Sequence, residues 1–336
     1  MDVAILAHDH FPDGAKTAVG LLRYGDHEVR AVVDREHAGE RVHDHLPDAQ
    51  DAPIVAGIDD VDRIDALVVG ISPIGGAFDE SWRPDIRGAL QRGCDVIAGL
   101  HTFLAEDPEF AALADQHGAD IRDVRKPPAD LTVAQGTADE VDATVVATVG
   151  TDCSSGKMTA AFELRNAARQ RGLDAAVVPT GQTGIMIADR GIAIDRCVAD
   201  FAAGAVERLV HETAADHDLV IVEGQGALAH PAYSGVTASI LHGAMPDHLV
   251  LCHVAGRQTV GGYESFDIPP PDQYARYYEA FVAPVSEASV VAGALNTSGM
   301  DTEAARQAVR AYGDAMGVPA TDPVRFELDS LLAAIV

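Results

Sequence analysis

The stretch VVATVGTDCSSGKMTAAFEL, residues 145 to 164, decides the fold. It reads as an apolar, β-branched strand, then a glycine-bounded loop, then a helix carrying Ala160, Ala161, Phe162 and Leu164. Gly150 and Gly156 bracket five residues, one more than in the G-x-x-x-x-G-K-[ST] phosphate loop, and Lys157 follows at once. In such loops backbone N–H groups surround phosphate oxygens, the lysine neutralises them, and a hydroxyl next to the lysine holds magnesium. Here that next residue is Met158, and the nearest hydroxyl, Thr159, stands about 100° further around a helix. The expectation is a phosphate cradle made by Gly150, Thr151, Ser154, Ser155, Gly156, Lys157, Met158 and Thr159, poorly equipped for Mg-ATP hydrolysis.

Working outward, apolar runs at 2–7, 27–34, 64–72 and 94–101 alternate with helical patterns through Ala18, Leu21 and Leu22 and through Ile86 and Leu90. Strands recur at 144–149, 175–178, 218–223, 248–253 and 288–295. Alternating strand and helix predicts parallel sheets with ligands at the carboxyl ends of the strands. The fold class is therefore α/β with two doubly wound domains, which suits a chain of 336 residues. RKPPAD at 125–130 and the polar AQGTADEVD at 134–142 place the change near residue 140. Residues 1–140 read as Rossmann-like and 141–336 as the P-loop domain. The glycine-rich ISPIGGAF at 71–78 lacks G-x-G-x-x-G, so the first domain is read as closing over an acceptor and not as a dinucleotide site.

The formal charge of −28 arises from 52 acidic against 24 basic residues spread along the chain. Such a field repels nucleic acid. Only Lys16, Lys126 and Lys157 are lysines, and one of them falls in the phosphate loop. An acidic, lysine-poor surface points to a salt-adapted, halophilic interior. No uncharged run approaches the length a bilayer span requires, so the chain reads as a cytoplasmic protein with no membrane partner. Four cysteines, at 94, 153, 197 and 252, lie far apart and read as reduced thiols. The pairs His8 with His10 and His43 with His45 lack the i, i+4 spacing of a zinc pair and read as solvated, so no metal is expected.

The loop GTDCSSGKM resembles the long P-loop of dethiobiotin synthetases and their relatives, and DLVIVEGQGAL (218–228) and VVPTGQTGIMI (177–187) follow in the matching order. Taken with ALNT (294–297), TDPVR (321–325) and the early GAKTAVGLLRY (14–24), the pattern is closer to the D-glutamate N-acetyltransferase-like proteins, over nearly the whole chain. That resemblance implies a Rossmann-like domain followed by a P-loop domain, a methionine as the ordinary residue at 158, and a homo-oligomer. It also implies acetyl-CoA as donor and an acidic amino acid as the small-molecule acceptor. Acetyl-CoA contains a 3′-phosphorylated ADP unit, which a phosphate cradle can hold without hydrolysis. Mg-ATP, serving a ligase or kinase of the dethiobiotin synthetase type, and a non-catalytic nucleotide or CoA sensor are the rival expectations.

Glu223 ends a buried strand at the ligand face and is the first choice of general base, with His230 the competitor or a turn residue. Asp152 either serves the reacting groups or bonds its own turn amides. Cys153 is an acyl carrier only as a second choice. Arg257, with Arg190 behind it, suits a substrate carboxylate or a surface ion pair. Thr180, Gly181, Gln182, Thr183 and Gly184 read as a substrate-binding turn, and Asn296 reads an adenine edge or caps its loop. Carboxylate self-repulsion predicts a melting midpoint that rises steeply from low to molar salt; a midpoint indifferent to salt overturns the halophilic reading.

Overall fold

The structure is a computed structural model that describes residues 1–71 and 76–336, so the centre of ISPIGGAF lies outside the described residues. The chain forms two compact units. One comprises Met1–Pro127 with Gln182–Ala193, the other Pro128–Gly181 with Ile194–Val336.

The first unit runs β1 (Asp2–Leu6), α1 (Lys16–Tyr24), β2 (Glu28–Val33), β3 (Ile54–Val55), β4 (Ala66–Val69), α2 (Arg83–Gln91), β5 (Asp95–Ala98), α3 (Pro108–His117) and β6 (Ile121–Asp123). Its strands form a parallel sheet in the order β3-β2-β1-β4-β5-β6, the doubly wound order of the Rossmann fold. Val3 to Ala7 are fully buried, as expected for a parallel sheet covered on both faces, where strands read as unbroken apolar runs.

The rest of the chain runs β7 (Thr144–Gly150), α4 (Lys157–Gln170), β8 (Ala175–Val178), α5 (Gln182–Ala188), α6 (Ala199–Ala214), β9 (Leu219–Val222), α7 (Ser234–Ala244), β10 (His248–Val254), the hairpin β11 (Thr259–Val260) and β12 (Tyr263–Asp267), α8 (Pro271–Val282), β13 (Ser289–Asn296), α9 (Thr302–Met316), β14 (Ala320–Thr321) and α10 (Asp329–Leu332). The second sheet is parallel, ordered β14-β13-β10-β7-β9-β8. β8 and β9 lie on one side of β7, and β10, β13 and β14 on the other. The winding reverses at β7, so the crevice for a ligand opens at its carboxyl end, where the glycine loop begins. None of the helices among the described residues is long and apolar enough to cross a membrane.

Two details depart from the reading by sequence. The change of unit falls at Pro127–Pro128, and residues after it pack on α6: Gly204 lets the chain pass, since a Cβ there would sit 2.1 Å from Thr132 O. The buried Glu207 carboxylate accepts the amides of Gln135, Gly136 and Thr137 at 2.7, 2.6 and 2.9 Å. The second detail is α5, which packs on α1 within the first unit; the Thr183 and Thr17 hydroxyls bond at 2.7 Å.

Burial alone would raise the pKa of Glu207, but its three amides together hold it below the usual carboxylate value. A depressed folded pKa contributes stability above the unfolded carboxyl pKa that is lost as pH falls through the folded one. Glu207→Gln is therefore expected to lose about 2 kcal/mol at neutral pH and less in acid, read from denaturant midpoints; an equal loss at both pH values overturns the assignment.

Candidate functional site

The loop closes because Gly150 has no side chain: a Cβ there would stand 2.4 Å from Ser155 Oγ and 2.9 Å from Lys157 Nζ. The turn also needs left-handed backbone at Ser154 (φ 52°) and Gly156 (φ 95°), which glycine adopts at little cost. Tyr278, on α8, fixes the loop's start. Its hydroxyl donates to Gly150 O at 2.6 Å and accepts the amides of Gly150 and Leu228, both at 3.3 Å. Burial pushes that phenol well above its ordinary pKa, so it stays neutral.

Lys157 opens α4 and is buried; its Nζ donates to Asp152 O at 2.7 Å and to Ser155 Oγ at 3.3 Å. Asp152 to Ser155 form a turn, and among the described residues nothing accepts from the amides of Ser154 and Gly156. Free amides at a helix N-terminus beside a lysine form an anion-binding donor set. Met158 is 6% exposed, so an apolar side chain packs where a hydroxyl would hold magnesium, and Thr159 is half-buried.

Asp152 is 1% exposed. Its Oδ1 accepts the Cys153 amide at 2.7 Å, and its Oδ2 accepts Arg257 Nη1 at 3.0 Å and the Gly261 amide at 2.9 Å. Arg257 Nη1 also donates to Cys153 O at 3.0 Å. The carboxylate thus ties the loop to the turn after β10 and to the β11–β12 hairpin. Arg257 is bound to this buried acid, which is neither a bare substrate clamp nor a surface pair.

His230 is buried, and its Nδ1 accepts the amides of Ala232 and Tyr233 at 3.0 and 3.2 Å. Its proton therefore sits on Nε2, which lies 3.8 Å from Asp152 Oδ1. Burial lowers its pKa, Asp152 opposes that and Lys157 adds to it. With one nitrogen bonded to two amides and the other protonated, His230 has no lone pair to offer as a base, either to an ammonium or to Cys153. The turn reading describes it.

Glu223, at the end of β9, is 4% exposed. Oε2 accepts the amides of Thr180 and Gly181 at 3.3 and 3.4 Å, and Thr180 Oγ1 donates to Glu223 O at 2.7 Å. Gly224 brings β9 against β7: a Cβ would lie 1.8 Å from Thr148 O and 3.3 Å from Lys157 Cδ. The turn after Glu223 is thereby held beside the stem of the loop lysine.

The structure thus gathers Gly150, Thr151, Asp152, Ser155, Gly156, Lys157, Thr180, Gly181, Glu223 and Arg257 in one unit at the carboxyl ends of β7, β8, β9 and β10. Gln182, Thr183 and Gly184 form the first turn of α5 and belong to the first unit, as does the exposed Arg190. Asn296 Oδ1 accepts the Ser298 amide at 2.9 Å and so caps its loop. Of the paired histidines, His8 is not solvated: it is 2% exposed and its Nε2 bonds Asp85 Oδ2 at 2.9 Å. Sequence reasoning missed Tyr278 and His253. The spacing of Tyr274, Tyr277 and Tyr278 signalled only a helix with a core face. His253 Nδ1 bonds Thr151 Oγ1 at 2.7 Å, and burial, with Arg257 nearby, drops its pKa to about 4.

Sheet order and glycine loop define a two-unit α/β protein with a Rossmann-like first half and a P-loop second half. The family described as a domain of unknown function, DUF1611, matches with its P-loop domain at residues 132–332 and its Rossmann-like domain at 35–127. The chain belongs to this family of D-glutamate N-acetyltransferase-like proteins. It is 35% identical over 271 residues to a D-glutamate N-acetyltransferase of Tritonibacter scottomollicae and 34% identical over 268 residues to one of a Pseudoalteromonas species, covering 80% of each chain in both comparisons. The crystal structure of a DUF1611 family protein from Anabaena variabilis superposes with a TM-score of 0.93 at 38% identity, covering 99% of this chain and 98% of that one.

Tyr278→Phe leaves a buried carbonyl and two amides without their partner. It is expected to destabilise the fold by about 1–3 kcal/mol and to weaken anion binding at the loop; unchanged denaturant midpoint and unchanged binding together refute the role of that hydroxyl.

Proposed function

We propose that this protein transfers the acetyl group of acetyl-CoA to the amine of D-glutamate or a similar acidic amino acid. The observation that carries this reading is the buried Met158 in a loop whose amide and lysine donors are otherwise retained. Such a loop suits phosphates that are held and not hydrolysed, as in the 3′-phosphorylated ADP part of CoA. The two curated relatives named above support the acceptor class.

In this reading Ser154, Ser155, Gly156 and Lys157 hold phosphate oxygens. Glu223, whose carboxylate accepts the amides of Thr180 and Gly181, takes a proton from the acceptor's ammonium. The freed amine attacks the thioester carbonyl, the C–N bond forms, the C–S bond breaks, and the CoA thiolate leaves and is protonated. Thr180 and Gly181 frame the reacting amine. Arg257 offers the acceptor carboxylate the edge of its guanidinium not used on Asp152. Asp152 acts through Arg257 and the loop, as a positioning residue.

The test is calorimetric titration in molar salt with acetyl-CoA and, separately, with Mg-ATP. Acetyl-CoA is expected to bind and Lys157→Ala to abolish binding; binding of Mg-ATP without acetyl-CoA overturns the reading in favour of a ligase or kinase. Glu223→Gln is expected to lower turnover by roughly 10²-fold or more with acetyl-CoA affinity retained, and undiminished turnover removes it from the chemistry.

A further inference from the structure

The first unit carries a cluster that the proposed reaction does not use. In the segment between β2 and β3, one ligand atom from each of His37, Glu40 and His45 lies within 4.8 Å of the other two. The imidazole planes of His37 and His45 meet edge to face, 4.6 Å between centroids, and His45 Nε2 lies 2.6 Å from Glu40 Oε2. Behind His37 stands Asp34, fully buried, whose Oδ2 is 2.7 Å from His37 Nδ1 and whose Oδ1 accepts the Asp9 amide at 2.7 Å. An ionised carboxylate only accepts, so His37 carries its proton on Nδ1 and its lone pair on Nε2. A carboxylate behind a histidine in this way fixes tautomer and ring orientation, the usual outer partner of a metal-bound imidazole.

The backbone holds the three residues in place. Gly39, at φ 96°, makes the turn, and its amide bonds Ile54 O at 2.9 Å. Glu40 N–H bonds His37 O at 3.1 Å, and Ile54 N–H bonds Glu40 O at 2.9 Å. His45 N–H bonds Val42 O at 3.0 Å. The segment is thus pinned to the edge strand β3 at two points, which holds the three side chains in one cluster.

We propose that His37, Glu40 and His45 form a binding site for a divalent transition metal of the zinc class, with Asp34 orienting His37. Two imidazoles and one carboxylate are a donor set that zinc, cobalt and nickel take in preference to magnesium or calcium. Three protein ligands leave further positions to water, in keeping with the exposure of Glu40 and the half-burial of both histidines. The ion takes the place of the hydrogen between His45 Nε2 and Glu40 Oε2, and the ring proton moves to Nδ1. Its role is to clamp residues 34–45 onto the sheet.

A second cluster, Asp152, Cys153 and His230, also brings three donor types together. It is the weaker candidate, since the lone pair of His230 is bound to amides and Asp152 to Arg257 and Gly261. The two clusters differ in one observable respect, because only the second contains a thiol.

The test titrates the chelator-treated full-length protein with Co²⁺ in molar potassium chloride, which screens loose attraction to the acidic surface over a Debye length of about 3 Å. The expected result is one Co²⁺ per chain with visible ligand-field bands, no thiolate charge-transfer band, displacement by Zn²⁺, and a raised thermal midpoint. Glu40→Gln and His45→Gln are expected to weaken binding by at least 10-fold, and Asp34→Asn by roughly 10- to 100-fold, with circular dichroism confirming that each variant folds. Should Asp34→Asn not fold, the exposed Glu40→Gln decides alone. Absence of binding, binding indifferent to Glu40→Gln, or a thiolate band lost in Cys153→Ser overturns the proposal. None of these readouts depends on acetyl transfer.

Discussion

The absence of a side chain at Gly150 and at Gly224 is the constraint on which the carboxyl end of the second sheet depends. At both places another group occupies the volume a methyl would need: Ser155 Oγ and Lys157 Nζ at the first, the Thr148 carbonyl at the second. Because Gly150 is bare, the loop folds back over its own strand and its lysine is drawn inward onto Asp152 O. Because Gly224 is bare, the chain after β9 lies hard against β7 and the stem of Lys157, one residue beyond Glu223. The glycine loop and the end of β9 are thus brought together by backbone contact, before any side-chain attraction acts.

Asp152 extends that arrangement. A carboxylate so fully buried is costly unless its lone pairs are met, and here two amides and one guanidinium meet them. The three partners come from the loop itself, from the turn after β10 and from the hairpin, so the anion fixes three segments at once. The same pairing explains why Arg257 carries so little of the independence expected of a substrate clamp. It also explains the state of His230, whose protonated nitrogen faces this acid while its other nitrogen holds a turn.

The sheets were legible because their strands are buried on both faces and so appear as continuous apolar runs. β3, β6 and β14 were not, being two or three residues long, and the exposed β12 offers no apolar pattern at all. PTGQTGIMI shows where reading along the chain fails. The segment looks like one turn, yet Thr180 and Gly181 serve Glu223, while Gln182 begins a helix whose threonine bonds Thr17. Nothing within nine residues announces a partner so remote in sequence. The Asp152–Arg257 pair is invisible for the same reason. The position of Glu223 was legible, since it closes the apolar run of β9, but its bonds to the amides of Thr180 and Gly181 were not. Tyr278 was not, because a buried tyrosine on an amphipathic helix looks like core until its hydroxyl is seen to bond Gly150.

The charge of the chain sets a further condition on the loop. A protein carrying −28 repels anions at long range, so a phosphate site within it must rely on donors that act at contact. The unbonded amides of Ser154 and Gly156 and the buried Lys157 are donors of that kind, and a buried donor such as Lys157 is screened little by salt. The surface field is screened instead, over a length of about 3 Å at molar ionic strength. Salt therefore removes the repulsion that opposes an anionic ligand while sparing the contacts that hold it, the reverse of a basic nucleic-acid site, whose long-range attraction salt erodes.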